Sequence, residues 1–348
     1  MAPRGHQPVR PGNVVPMSGT DPSRSVVVTF GPPEEMRLAI EDVLRPLAQV
    51  VFAKDLAAHD RRRALESADA ILAWSPGREM QPEEMQALVR ASFMQVLSAG
   101  ADQIRFADLP ESMVLASNVG AWAEPMAEHV VGMILVLAKR LHLTTAELAR
   151  GEFNQLIRTA PIEGSVVGII GFGGIGKATG RQMAALGAKV HAINSTGQTD
   201  EPVEFVGTLD DLDAVLAASD FVVIALPLTK SARGLIGRRE LALMKPTAIL
   251  VNVARGAIVE EAALYEHLRT HPEFRAGIDA WWEEPRGKAR FATHFPFFEL
   301  PNLIGSPHNS ALVPGIELQA ARRAAENVAR YLRREPLTGV VRREDYEG

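Results

Sequence analysis

The chain contains no cysteine. Disulfides, thiolate metal sites and cysteine nucleophiles are therefore excluded, which fits the cytoplasm as the expected location. No apolar run is long enough to cross a bilayer: the longest, VVGMILVLA at 130–138, leads straight into Lys139 and Arg140. An excess of positive charge is also missing. The formal net charge is −5, whereas a nucleic-acid or acidic-membrane binder usually carries a basic face or run, so neither partner is expected. Internal repeats are absent. The only biased stretch is residues 1–24, rich in Pro, Gly and Arg. It lacks the apolar core of a secretory signal and reads as a disordered tail. No metal site is expected.

What is present is ordinary for a globular enzyme: 348 residues, 47% hydrophobic and 23% charged, enough for two domains. Short apolar runs, SVVVTF (25–30), VVFAK (50–54), DAILAW (69–74) and FMQVLSAG (93–100), are separated by helical stretches. This alternation predicts an α/β unit with a parallel sheet covered on both faces. A helical stretch from about Glu124 to Arg150 has no Gly or Pro after Met133. As one helix it would extend about 40 Å, enough to bridge two domains. A second series follows: SVVGIIG (165–171), AKVHAI (188–193), FVVIALP (221–227), AILVNVA (248–254), AGIDAW (276–281) and LIGSPH (303–308). Six strands with intervening helices match a dinucleotide-binding fold. The helical tail Pro314–Arg334 is expected to return to the first unit.

Gly171, Gly173 and Gly176 form G-x-G-x-x-G directly after a strand and at the start of a helix. The first glycine permits the tight turn, the second lets backbone approach a pyrophosphate, and the third lets helix and strand pack closely. The helix start offers free N–H groups and the positive end of its dipole to the anion. A site for NAD needs an acid at the end of the next strand for the ribose hydroxyls. Asn194 stands there, followed by Ser195, Thr196 and Gly197. No acid repels a 2′-phosphate and three side chains can donate to one, although no Arg or Lys follows. NADP is favoured over NAD on this ground.

Three further groups lie beyond strand ends, where α/β sheets place their chemistry: Arg255, Glu284 and His308. Arg grips a carboxylate with two N–H groups, His moves a proton near neutral pH, and Glu holds the His and favours its charged form. Singly, each could be an ordinary turn, surface or loop residue. Together, in a chain with a dinucleotide turn, they read as a catalytic set.

The chain resembles the D-isomer-specific 2-hydroxyacid dehydrogenase family. SAGADQI (98–104) resembles its substrate loop and EPMAEHVVGMILVLAKRL (124–141) its interdomain helix. IGFGGIGK, LPLTKSARGLIG (226–237), VNVARGAIVE and DAWWEEP resemble its signatures in the expected order. The resemblance implies a Rossmann-type NAD(P)-binding domain (123–311) inserted in a flavodoxin-like substrate domain (25–122 and 312–348), and a homodimer. It implies hydride transfer between NAD(P)H and a small 2-oxo acid such as glyoxylate or hydroxypyruvate. Arg255, Glu284 and His308 would be catalytic. Ser98, Ala99 and Gly100, with Arg255 and His308, would hold substrate, the backbone around Ala99, Gly100 and Ala101 taking its carboxylate. Gly171, Gly173, Gly174, Ile175, Gly176, Asn194, Ser195, Thr196, Leu226, Pro227, Val253, Ala254, Asp279 and His308 would line the cofactor, Asp279 meeting the nicotinamide carboxamide. The chain departs from the family at Asn194, at the HNS after Pro307, and at Ala232, where Thr is common. The alternatives are a phosphite-type substrate or a cofactor-sensing, co-repressor-like protein on the same fold. The complete catalytic set favours an enzyme over a sensor, the retained Glu284 argues against the formate dehydrogenases that resemble the family and carry Gln there, and the substrate loop lacks the Lys before its Gly expected for phosphite.

Overall fold

The computed structural model describes residues 23–285, 287 and 289–346. The tail expected over 1–24 lies almost wholly outside them. Twelve strands form two parallel sheets. The first holds β1 (Ser25–Val28), β2 (Gln49–Phe52), β3 (Ala70–Ala73), β4 (Phe93–Val96) and β5 (Val114–Ala116) in the order β2-β1-β3-β4-β5, the flavodoxin-like order. Helices α1 (Glu34–Leu44), α2 (Ala58–Ser67), α3 (Pro76–Glu79) and α4 (Pro82–Gln86) connect its strands. The second holds β6 (Val166–Ile170), β7 (Lys189–Ile193), β8 (Phe205–Gly207), β9 (Phe221–Ile224), β10 (Ile249–Asn252), β11 (Arg275–Ile278) and β12 (Leu303–Gly305). Its order is β12-β11-β10-β9-β6-β7-β8, that of a Rossmann sheet, which reverses direction between β6 and β9 and opens its crevice there. The inner strands are apolar on both faces: Val26, Val27, Val28, Val222, Val223 and Leu250 are fully buried, as a sheet covered on both sides requires.

The helices of the second half are α5 (Ala123–Ala138), α6 (Leu141–Ala149), α7 (Gly174–Ala185), α8 (Leu212–Ala218), α9 (Arg238–Leu243), α10 (Glu261–Thr270) and α11 (Ile316–Arg333). The single helix expected over 124–150 is two, broken at Arg140, whose φ is +53°. The cause is tertiary. The Arg140 guanidinium pairs with Glu273, the Lys139 Nζ donates to the Ala160 carbonyl at 2.7 Å, and the Ala160 N–H closes onto the Ala138 carbonyl at 3.0 Å. These contacts end the helix where helix propensity alone would continue it. The second sheet also has one strand more than expected, β8, and the first gains β5. Both are edge strands of three residues, too short to show a period in sequence.

Helix α11 returns to the first sheet and packs on α1 and β4. Its inner face carries five alanines (Ala320, Ala321, Ala324, Ala325 and Ala329, each at most 2% exposed) among Ile316, Asn327, Val328 and Leu332, so its backbone approaches closely. A buried polar clasp fixes it there: Asn327 Nδ2 donates to the Gln95 Oε1 at 2.6 Å, and its Oδ1 accepts the Thr338 N–H at 3.0 Å. Asn327→Ala would leave the buried Gln95 side chain without this donor and release the Thr338 N–H, at a cost of roughly 1–3 kcal/mol. Urea denaturation should show a lower midpoint with an unchanged slope; an unshifted midpoint would mean that the clasp contributes nothing.

Candidate active site

Strand β6 delivers the chain into the glycine turn. Gly171 has φ +102°, and a Cβ there would lie 2.4 Å from the Leu226 nitrogen. Gly176 is equally confined, its missing Cβ falling 2.3 Å from the Gly171 carbonyl oxygen. Gly174 abuts the chain between the two sheets, where a Cβ would meet the Gly120 Cα at 2.6 Å. Gly173 differs: nothing lies within 4 Å of the Cβ position. Gly174, Ile175 and Gly176 begin α7, so no preceding turn takes up their N–H groups. An open face above a helix start fits a pyrophosphate. Leu226 and Pro227 follow β9 across the crevice, and Val253 and Ala254 follow β10.

Asn194 folds its own loop. Its Oδ1 accepts the N–H groups of Thr196 (3.0 Å) and Gly197 (2.8 Å), and its Nδ2 donates to the Gln198 carbonyl at 2.8 Å. Gly197 completes the bend at φ +64°. Ser195 and Thr196 remain exposed on the rim. Asp200 and Glu201 fold back onto α7, Asp200 pairing with Lys177, and Glu201 with Arg181 at 2.8 Å.

At the opposite side of the crevice, His308 Nδ1 and Glu284 Oε1 are 2.7 Å apart. Glu284 also accepts the Trp281 N–H at 3.1 Å. Burial pushes its carboxyl up, but the His308 contact, the Trp281 N–H and the charge of Arg255 outweigh this and hold it below its ordinary value. His308 itself has φ +51°. This left-handed backbone, unusual for a non-glycine residue, is the kind that surrounding contacts must impose. They come from Asp279, whose side chain is fully buried. It accepts the Ser306 hydroxyl at 2.6 Å and the N–H groups of Asn309 (3.1 Å) and Ser310 (3.4 Å), and its carbonyl accepts the His308 N–H at 3.0 Å. Its carboxylate thus braces the histidine loop, while His129 Nε2 on α5 reaches the same Ser306 hydroxyl at 2.9 Å. The tryptophans are packed: Trp281 Nε1 donates to the Ser306 carbonyl at 2.8 Å, and Trp282 stacks on Phe297 with ring centres 5.4 Å apart. A cavity of about 370 Å³ lined by Trp281, Glu284, Phe291, Phe298 and His308 adjoins the pair.

Arg255 reaches the first sheet's loop. Its Nε donates to the Asp102 carboxylate at 3.1 Å and its Nη1 to the Ala254 carbonyl at 2.8 Å. Its Nη2 lies against Gly100, 2.7 Å from where a Cβ would stand, with no acceptor among the described residues. The N–H groups of Ala99, Gly100 and Ala101 also lack acceptors there. Ser98 shapes the loop through a 2.9 Å bond from its hydroxyl to the Gly100 carbonyl. Donors without acceptors from both sheets therefore lie side by side at Gly100. Asp102 was the residue that sequence reasoning missed: it sits inside SAGADQI, where only the backbone had been given a role.

A family model described as D-isomer specific 2-hydroxyacid dehydrogenase, NAD binding domain, matches residues 131–310. Glyoxylate/hydroxypyruvate reductase B of Pectobacterium atrosepticum is 30% identical over 272 residues, 76% of this chain and 82% of that protein. D-3-phosphoglycerate dehydrogenase of Methanocaldococcus jannaschii is 29% identical over 307 residues, 86% of this chain but only 56% of its own length. Among solved structures, a D-isomer specific 2-hydroxyacid dehydrogenase of Xanthobacter autotrophicus, in complex with NADPH and MES, superposes with a TM-score of 0.74 at 25% identity. That match covers 92% of this chain and 98% of the other. The chain belongs to the D-isomer-specific 2-hydroxyacid dehydrogenase family.

Because the folded-state pKa of Glu284 lies below its unfolded value of 4.5, the ionised carboxylate contributes stability that is full above that value. The contribution is lost as the pH falls through the depressed one. Measured by urea denaturation from about pH 6 to about pH 3, the advantage of wild type over Glu284→Gln should shrink on acidification. A gap that widens would mean the opposite shift.

Proposed function

We propose that the protein catalyses NAD(P)H-dependent reduction of small 2-oxo acids to D-2-hydroxy acids, and the reverse oxidation, in the cytoplasm. The observation that carries this reading is Arg255 Nη2, without an acceptor among the described residues, lying against the loop of Ala99 to Ala101 while its charge acts on the His308–Glu284 pair. Gly171 to Gly176, flanked by Leu226, Pro227, Val253 and Ala254, would hold the cofactor, which would supply the hydride. Asp279 supports this side of the site by holding the histidine loop in place. The protein does the rest. Arg255 Nη2 and the loop amides take the substrate carboxylate, which fixes the ketone in one orientation. His308, held through Nδ1 by Glu284, hands the proton on its other nitrogen to the ketone oxygen as negative charge grows there. Glu284, ionised across the working range, stabilises the protonated ring before that transfer.

NADP is the favoured cofactor. No acid follows β7, and the exposed Ser195 hydroxyl stands on the rim where a 2′-phosphate would lie, while Asn194 and the Thr196 hydroxyl, 3.1 Å from the Asn194 Oδ1, hold the loop in shape. The chain is also proposed to form a homodimer. The segment from α6 onward exposes Leu141, Leu148, Phe153 and Leu156, the last two 78% and 88% exposed, a cluster suited to a second copy.

Absorbance assays with glyoxylate, hydroxypyruvate, pyruvate and phenylpyruvate, each with NADPH and NADH, should show oxidation of the cofactor, faster with NADPH. His308→Ala should lower turnover about a hundred- to ten-thousandfold while NADPH still binds, and Asn194→Asp should move the preference towards NADH. No turnover with any acid would remove the reading; a wild type that prefers NADH would remove the cofactor assignment. Sedimentation should return a dimer that Phe153→Asp weakens, and a monomeric wild type would end that assignment.

A further inference from the structure

The last described residues leave α11 and run back to the site. Gly339 and Val341 pin the segment to the edge of the first sheet. The Ser117 N–H donates to the Gly339 carbonyl at 2.8 Å, and the Val341 N–H to the Leu115 carbonyl at 2.8 Å. A Cβ on Gly339 would lie 2.1 Å from the Ser117 oxygen, so this seat is made for backbone alone. Arg343 holds the Pro110 carbonyl. The segment then crosses the cleft: the Lys230 N–H, from the loop after β9 that carries Leu226 and Pro227, donates to the Asp345 carbonyl at 3.0 Å. The next residue, Tyr346, stacks its ring on Phe106 at 5.6 Å between centres. Phe106 belongs to the loop that begins with Ser98 and contains Asp102. Burial pushes the Tyr346 phenol up, the charge of Asp102 adds to this, and that of Arg255 opposes it. The Tyr346 ring packs against the apolar cluster that contains Phe106 and Ala101, the residue before Asp102, which seats it beside the Asp102–Arg255 bridge.

We propose that Tyr346 is a positioning residue for the substrate carboxylate: carried across the cleft on Gly339–Tyr346, its ring covers the Asp102–Arg255 bridge and keeps water from it. Arg255 has three donor groups. Asp102 and the Ala254 carbonyl engage two, and only with both engaged does Nη2 stay over Gly100, facing the free loop amides. A bridge whose side chains are 26% and 12% exposed is held far better than one open to solvent. Removing the cover lets water compete for both partners and lets the guanidinium turn. The phenol oxygen makes no hydrogen bond to the described residues, so the ring, and not the hydroxyl, carries the effect.

The inference rests on the proposed function only for the identity of the carboxylate site, and binding tests it without turnover. Oxalate, whose carboxylate stands in for that of a 2-oxo acid, is titrated calorimetrically into protein saturated with NADPH. Tyr346→Ala should weaken oxalate about tenfold, the size of one lost charge-assisted hydrogen bond. Tyr346→Phe should restore wild-type affinity, and NADPH affinity should not change in either. In an Asp102→Asn background, Tyr346→Ala should add almost nothing, because the two act through one bridge. Oxalate affinity unmoved by Tyr346→Ala overturns the inference, as does a parallel loss of NADPH affinity, which would mark a merely structural role. Absence of oxalate binding by the wild type overturns it as well. The expected oxalate pattern in a protein that reduces no 2-oxo acid would leave the inference standing and remove the reaction.

Discussion

One buried carboxylate organises the catalytic end of the molecule. Asp279 sits at the tip of β11, and its oxygens are met by the Ser306 hydroxyl and two backbone N–H groups. An interior charge is tolerable only when its hydrogen-bonding capacity is filled, so the loop that fills it has little freedom. That loop carries His308 in a left-handed backbone conformation, which aims the ring at Glu284. His129 extends the chain of contacts to α5. The histidine is thus aimed by groups that need not meet the substrate.

The same economy shapes the other side of the cleft. Arg255 is tied at two of its three donor groups by neighbours from different sheets, and the third is left over the substrate loop. A guanidinium fixed this way loses little side-chain freedom on meeting a carboxylate, which is what favours affinity in a small site. The cofactor side relies on absent side chains: Gly173 leaves an open face, while Gly171 and Gly176 let strand, turn and helix close on one another.

Much of this was legible in sequence, for physical reasons that differ by element. The inner strands announce themselves because both faces are covered and the runs are continuously apolar. The glycine turn is legible because Gly171 and Gly176 meet steric demands that no other residue can, with Gly173 between them at the fixed spacing. The break at Arg140 was not, since it depends on Glu273 and Ala160, which approach only after folding. The edge strands β5 and β8 are too short to show a period. Asn194 was read correctly as a missing acid, yet its engagement in folding its own loop is a matter of local geometry that composition does not express. Asp102 was hidden differently. An aspartate in a loop is ordinary, and its importance appears only when Arg255 arrives from 153 residues away.

The contact between Gly174 and Gly120 joins two things usually treated apart. Gly174 opens α7 at the glycine turn, and Gly120, at φ +82°, belongs to the chain that joins β5 of one sheet to α5 beside the other. They touch with no room for a single methyl group between them. The start of α7 and the crossing between the sheets therefore share a wall, and neither can shift without displacing the other.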